Sequence, residues 1–195
     1  MSSQVSNPPR RELGLRQPDT LERLLAAARA ELDEVGHEAL TIRTVAARAG
    51  VSPATAYNYF ASRDHLFAEL FWRNLATAEG PRPTGRSSTR RVQQTTRHLA
   101  ETIASAPPLA EAATKSLLGT DPAVTELRLR IGALFAERFR QAMASPGRRL
   151  DSRVLDTLLM AFSGALLQTG MGMITYPELA DRLDDVVAVV MKGQP

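Results

Sequence analysis

Apolar residues recur in steps of three and four along most of the chain, and no stretch alternates apolar with polar positions as a half-buried strand would. Leu21, Leu24, Leu25, Ala28, Leu32 and Val35 form the first such face. It predicts a helix that starts at Asp19 or Thr20, where Glu22 completes an Asp-x-x-Glu capping box, and ends at Gly36. Three shorter helices follow from Ile42, Pro53 and Arg63, the last carrying Leu66, Phe67, Leu70, Phe71 and Leu75 to about residue 78. After the breaker run 80–85, GPRPTG, helices are expected over 89–104, stopped by Pro107-Pro108, and over 109–118. Asp121-Pro122 opens a long one to about residue 143, with Val124, Leu127, Ile131, Leu134, Phe135 and Phe139 in register. Two more span 151–176 and, beyond Pro177, the stretch to about 191. The reading is an all-α chain of about nine helices: a polar, Arg-bearing arm at 1–18, one unit over 19–80 and a second over 86–195.

Residues 41–63, TIRTVAARAGVSPATAYNYFASR, carry three helix starts and three Arg but no acid. Thr41 caps the first start, Ser52 the second with Pro53 at its first helical position, and Ser62 the third, with Asp64 in the following turn. Leu40 with Val45, and Val51 with Ala56, fit hydrophobic staples. Between the first two helices lies Ala49-Gly50-Val51, a turn of the length and Gly content of a helix-turn-helix. The middle helix turns Ala56 and Phe60 inward, leaving Ala54, Thr55, Tyr57, Asn58 and Tyr59 on or beside an uncharged outer face. A merely solvated helix usually carries Glu and Lys there. In a major groove, Ala54 and Thr55 allow close approach to a thymine methyl, Asn58 pairs with adenine, and the Tyr hydroxyls reach phosphates. Arg43 and Arg63 flank the helix, placed for phosphate or guanine. The competing reading is a short surface helix with chance tyrosines.

The stretch from about Asp19 to Leu70, through its run GHEALTIRTVAARAGVSPATAYNYFASRDHLFAEL at 36–70, resembles the DNA-binding domain of the tetracycline-repressor (TetR) family. Arg63 and Asp64 stand at the family's usual Lys and Glu, which keeps both charges. Asn58-Tyr59 stands where the family often has Tyr-His, so base preference does not carry over. The resemblance implies a dimeric repressor with an N-terminal three-helix DNA-binding domain, contacting double-stranded DNA through Thr41, Arg43, Ser52, Pro53, Ala54, Thr55, Tyr57, Asn58, Tyr59 and Arg63. It also implies a C-terminal helical domain for dimerisation and a small effector.

The C-terminal half has material for both roles. Residues 157–177 contain no charge over 21 positions, long enough to span a bilayer. Gly, Thr, Ser and Gln are spread along it and basic flanks are lacking, so it reads as a helix buried in a core or interface, with no membrane partner. Leu166, Gly170, Leu179, Leu183, Val187 and Val190 are the expected homodimer surface. Leu99, Ile103, Leu117, Ile131, Phe135, Met160 and Met171 are expected around an apolar effector, with Gln168 orienting its polar group.

Composition narrows the alternatives. Apolar residues make up 44% of the chain, enough for a core, and a net charge of +3 does not by itself signal nucleic acid. There is no Cys, hence no disulfide, thiolate metal site or cysteine nucleophile. The three His, at 37, 65 and 98, share no metal-ligand spacing, and neither GxSxG nor a Gly-rich phosphate loop is present. No enzyme, metal or cofactor is therefore expected. The N-terminus shows no apolar signal segment, so a cytoplasmic location is the default. A helical lipid-binding protein without DNA function is the remaining rival. It leaves the acid-free face of 41–63 unexplained.

Overall fold

The computed structural model describes residues 17–78, 80, 83–147 and 149–192, and the expected arm at 1–18 falls largely outside them. Among the described residues there are nine α-helices and no strand: α1 (Gln17–Ala39), α2 (Ile42–Arg48), α3 (Pro53–Tyr59), α4 (Arg63–Thr77), α5 (Ser88–Ala104), α6 (Pro107–Leu118), α7 (Thr125–Met143), α8 (Ser152–Gly170) and α9 (Tyr176–Val190).

Helix boundaries follow the local chemistry. Gly36, at φ 76° and ψ 171°, breaks α1, and the chain then resumes a short helical stretch to Ala39. Pro107 and Pro108 do more than stop α5. They form the first turn of α6, where a missing N–H costs nothing. Asp121 caps a single 3₁₀ turn, Pro122–Val124, before α7 begins at Thr125. The helix expected over 151–176 ends at Gly170, because Gly172 takes φ 74° and turns the chain into α9.

α1, α2, α3 and α4 close on one core in which Leu24, Leu40, Ala56, Phe60 and Leu66 have 1% exposure or less. α2 and α3 have seven residues each, too short to persist alone, so this burial holds them. Truncating Phe60 to Ala in such a site costs about 3–5 kcal/mol. The core continues without interruption into the C-terminal helices. There Phe162 of α8 meets Phe135 and Phe139 of α7 edge-on, at ring-centroid distances of 4.9 and 5.4 Å. Trp72 of α4 joins the two halves. It packs against the cluster of Ala68, Val124 and Leu127, and the Arg130 guanidinium lies 3.7 Å from its ring centroid. No helix among the described residues is long and apolar enough to cross a membrane.

Candidate nucleic-acid interface and effector cavity

Each of the three helix starts is capped as the sequence requires. The Thr41 hydroxyl accepts from Thr44 N at 3.1 Å, while Thr44 Oγ1 accepts from Thr41 N at 3.1 Å, a reciprocal box. Ser52 Oγ accepts from Thr55 N at 3.1 Å and Ser62 Oγ from His65 N at 2.9 Å. These caps fix where α2, α3 and α4 begin, and so which side chains α3 shows to solvent. Ala54, Tyr57 and Asn58 are exposed, Thr55 and Tyr59 are half-buried, and Ala56 and Phe60 point into the core. Thr41, Arg43, Ser52, Pro53 and Arg63 are exposed around that face. The expected DNA-contact residues are thus all at least partly open to solvent.

The three Arg of this stretch have different surroundings. Arg48 Nε donates to Glu31 Oε2 at 2.7 Å, and its Nη2 donates to Glu34, both on α1. Glu34 first, and then Glu31, raise the Arg48 pKa above its ordinary value. The segment free of acids in sequence is therefore not free of them in space. Arg63 Nη1 donates to the carbonyl of Glu38 at 3.1 Å, which ties α4 to the end of α1. Arg43 is exposed and makes no hydrogen bond or ion pair among the described residues. Sequence reasoning also missed Arg23. From α1 its guanidinium reaches the carbonyls of Ala49 and Gly50 and so braces the turn before α3. No spacing rule links residue 23 to residue 49, and nothing in the sequence signals it.

A cavity of about 340 Å³ lies between α6, α7 and α8, within the range of small-molecule sites. Ile103, Leu117, Ile131 and Phe135, four of the residues named for an effector pocket, line it. Four other expected pocket residues do not. Leu99 is fully buried in the packing of α5, away from the wall, while Met160 and Met171 are 76% and 58% exposed and Gln168 is also at the surface. Met160 and Gln168 are exposed on α8, and Met171 on the turn that follows it. The polar wall groups are instead Arg128, Ser163, Thr114 and Tyr176.

The expected dimer residues are redistributed in the same way. Leu179, Leu183 and Val187 are 0–1% exposed inside the protomer, because α9 packs its apolar face on α5. Arg97 of α5 clamps that contact through Asp181, at 2.9 Å, and Asp184. Val190 is half-buried against the same core. Leu166 lines the cavity. Gly170 is small because α8 crosses α6 there: a Cβ would sit 2.6 Å from Thr114 Cγ2. The surfaces left uncovered on α8 and α9 carry Met160 and Val189, 76% and 74% exposed. Met160 is thus a surface residue and not a pocket one, and Val189 has no sequence signal that sets it apart from Val186, Val187 and Val190.

Residues 82–97 carry five Arg and no acid, and two of these Arg are engaged. Arg91 donates to the carbonyls of Gly85, Arg86, Ala142 and Ala144 and holds α5 to the end of α7, while Arg97 is paired as described. Arg82 lies outside the described residues.

Comparison with known proteins agrees with this geometry. Residues 24–70 match the family model for bacterial regulatory proteins of the tetR family. An uncharacterised HTH-type transcriptional regulator of Mycobacterium tuberculosis is 43% identical over 180 residues, 91% of this chain and 83% of that protein. The HTH-type transcriptional repressor KstR of Rhodococcus jostii is 30% identical over 129 residues, 65% of this chain and 61% of that one. In fold, the chain is similar to a TetR transcriptional regulator from Rhodococcus sp. RHA1, with a TM-score of 0.74 at 20% identity, over 92% of this chain and 99% of the other. A family model on the helix-turn-helix and a relative matched over nine-tenths of the chain place it among non-enzymatic regulators: the protein belongs to the TetR family of DNA-binding transcriptional regulators.

Proposed function

We propose that the protein is a homodimeric repressor that binds an inverted-repeat operator through α3 and leaves it when a small apolar effector enters the cavity. The reading head is the unit over 19–80, and the effector and dimer domain is the unit over 86–195. One observation carries this reading: α6 serves both. Its Ala110, Thr114, Leu117 and Leu118 line the cavity. Its Ser116 bonds Asp64 of α4 at 2.9 Å, and its Lys115 lies 2.8 Å from His37 at the end of α1. A ligand that displaces α6 acts directly on the two helices that carry α2 and α3. A ligand favouring a head position that misfits the groove weakens DNA, and DNA weakens the ligand by the same factor.

Asn58 is the reader of a base edge and Arg43 the phosphate contact, with Thr41, Ser52, Pro53, Ala54, Thr55, Tyr57, Tyr59 and Arg63 completing the surface. One seven-residue helix touches only a few base pairs, so useful specificity calls for two copies about one groove repeat apart. Repression as the sign of control is supported by KstR, a repressor by name. Selection of bound fragments from genomic DNA, followed by gel shifts with Asn58→Ala, tests the reading. Recovery of a two-fold-symmetric site, with discrimination at one base per half-site reduced by about 1–3 kcal/mol, is the expected result. Recovery of no preferred sequence would sink it.

A further inference from the structure

We propose that the cavity takes an elongated apolar anion, its carboxylate held by Arg128 and a second, neutral oxygen held by the Tyr176 hydroxyl. The inference rests on the effector reading above and names the class of molecule that would act there.

Arg128 is the guanidinium on the cavity wall. Its Nε donates to the carbonyl of Leu117 at 2.8 Å and its Nη2 to that of Gly119 at 2.9 Å. Neither partner is charged, and no carboxylate among the described residues pairs with it. Arg48, Arg73, Arg97 and Arg140 have acidic partners, whereas Arg91, Arg138 and Arg128 are held by carbonyls, and of these three Arg128 is the one on the cavity wall. Arg128 Nη1 makes no hydrogen bond among the described residues. The side chain is thus fixed in place by two carbonyls, carries an uncompensated charge and keeps donors free beside an apolar wall. A carboxylate compensates that charge in the planar geometry a guanidinium recognises.

Tyr176 supplies the second group. It lines the same cavity, and its hydroxyl is buried with no hydrogen-bond partner. Buried polar atoms are rarely left so, and an oxygen on the occupant satisfies this one. Burial first, and then the Glu111 charge, push the phenol pKa up, so it remains an O–H donor at neutral pH. Glu111 is itself held by Lys115 at 3.1 Å, which tempers its repulsion of an anionic occupant.

The two groups lie toward different parts of α6. Arg128 of α7 grips its C-terminal end, at Leu117 and Gly119, whereas Tyr176 enters the wall from the first turn of α9, and the α6 wall residues run back from Leu118 to Ala110. Ala110 and Leu118, the outermost α6 residues of the wall, are separated by about 12 Å of helix axis. The same wall carries the apolar Leu117, Ile131, Phe135 and Leu166. That arrangement suits a long molecule with oxygen at both ends better than a compact one.

The test is calorimetric titration of the full chain, below micellar concentrations, with dodecanoate, its ω-hydroxy derivative and dodecanol, alongside gel shifts on the selected operator. The acids should bind roughly 10- to 100-fold more tightly than the alcohol, and the hydroxy acid most tightly. Tyr176→Phe should abolish the preference for the hydroxy acid without lowering the melting temperature, since the lost hydroxyl has no partner. Arg128→Gln should abolish the preference for acid over alcohol. If that variant does not fold, the acid-to-alcohol ratio on the unchanged protein decides. Dodecanol binding as tightly as the acids overturns the proposal and leaves the apolar-effector reading standing. Equal binding of the hydroxy acid to Tyr176→Phe and its parent shows that water, not ligand, satisfies the phenol, and overturns the Tyr176 assignment. Failure of every probe to bind overturns both the anion and the effector readings, while the gel shift reports on DNA binding independently.

Discussion

The Ser116 hydroxyl on α6, 1% exposed, lies 2.9 Å from Asp64 Oδ1 in the first turn of α4 and 3.0 Å from the Ala112 carbonyl. One side chain of the cavity-lining helix thus meets the first turn of the helix that closes the DNA-binding unit. Asp64 also complements the α4 dipole, so its position matters to the start of that helix. Ser116→Ala should cost about 1 kcal/mol of stability. It should also reduce the effect of effector on operator affinity more than it reduces operator affinity itself. Thermal melts and gel shifts with and without effector measure the two. Unchanged coupling would place the connection elsewhere on α6.

Arg43 and Arg48 are both exposed Arg of α2, and only Arg43 lacks acidic neighbours. Arg43→Ala should weaken binding to all sequences alike and lower the slope of log affinity against log salt by about 1. Arg48→Ala should change that slope little. Its cost should appear in stability, because Glu31, 8% exposed, loses the guanidinium that compensates it. Equal salt slopes for the two variants would contradict this division.

Leu183→Arg with Val187→Arg would place two charges inside the α5–α9 packing and should unfold the domain, because both residues are 1% exposed. The informative pair is Met160→Arg with Val189→Arg, on the outward faces of α8 and α9. Light scattering should find a folded monomer with weakened operator binding. A dimer that persists in this variant would show that the two-fold interface uses another surface.

Asp121 caps the turn before α7 and accepts from Ser62 of the α4 cap. The Ser62 hydroxyl, and then the Ala123 N–H, hold its carboxyl below the ordinary aspartate value of about 3.9. A depressed folded-state pKa means that the contribution is complete above the unfolded value and disappears as pH falls through the folded one. The native chain should therefore lose more stability than Asp121→Asn between about pH 5 and the acid limit, and the two curves should run parallel above it. Denaturant melts across that range measure the difference. Parallel curves down to pH 2 would remove Asp121 from the acid response.

The all-α class, the helix-turn-helix and its exposed face were legible in the sequence, and the reason is local. A cap, a Pro at the first helical position and an apolar step of three or four act within one turn of chain. Thr41, Ser52 and Ser62 accordingly each cap the helix whose start they mark. Side-chain placement across helices was not legible. Leu183 and Val187 read equally well as a dimer face or as an inner face, because periodicity says which residues share a side and not what covers it. Only the packing of α9 on α5 decided that. Met160 and Met171 looked like pocket residues by type, but the rotation of α8 turned the first outward and the turn after α8 exposed the second. Leu166, four residues before Gly170 on the same helix, was turned onto the cavity wall. The pairing of Arg48 with Glu31 and Glu34, and the free charge of Arg128, depend on contacts between helices distant in sequence. The sequence by itself determined the helices, their caps and the family. The tertiary structure alone decided which charges are compensated and which apolar faces remain open, because both depend on what lies opposite each residue in space.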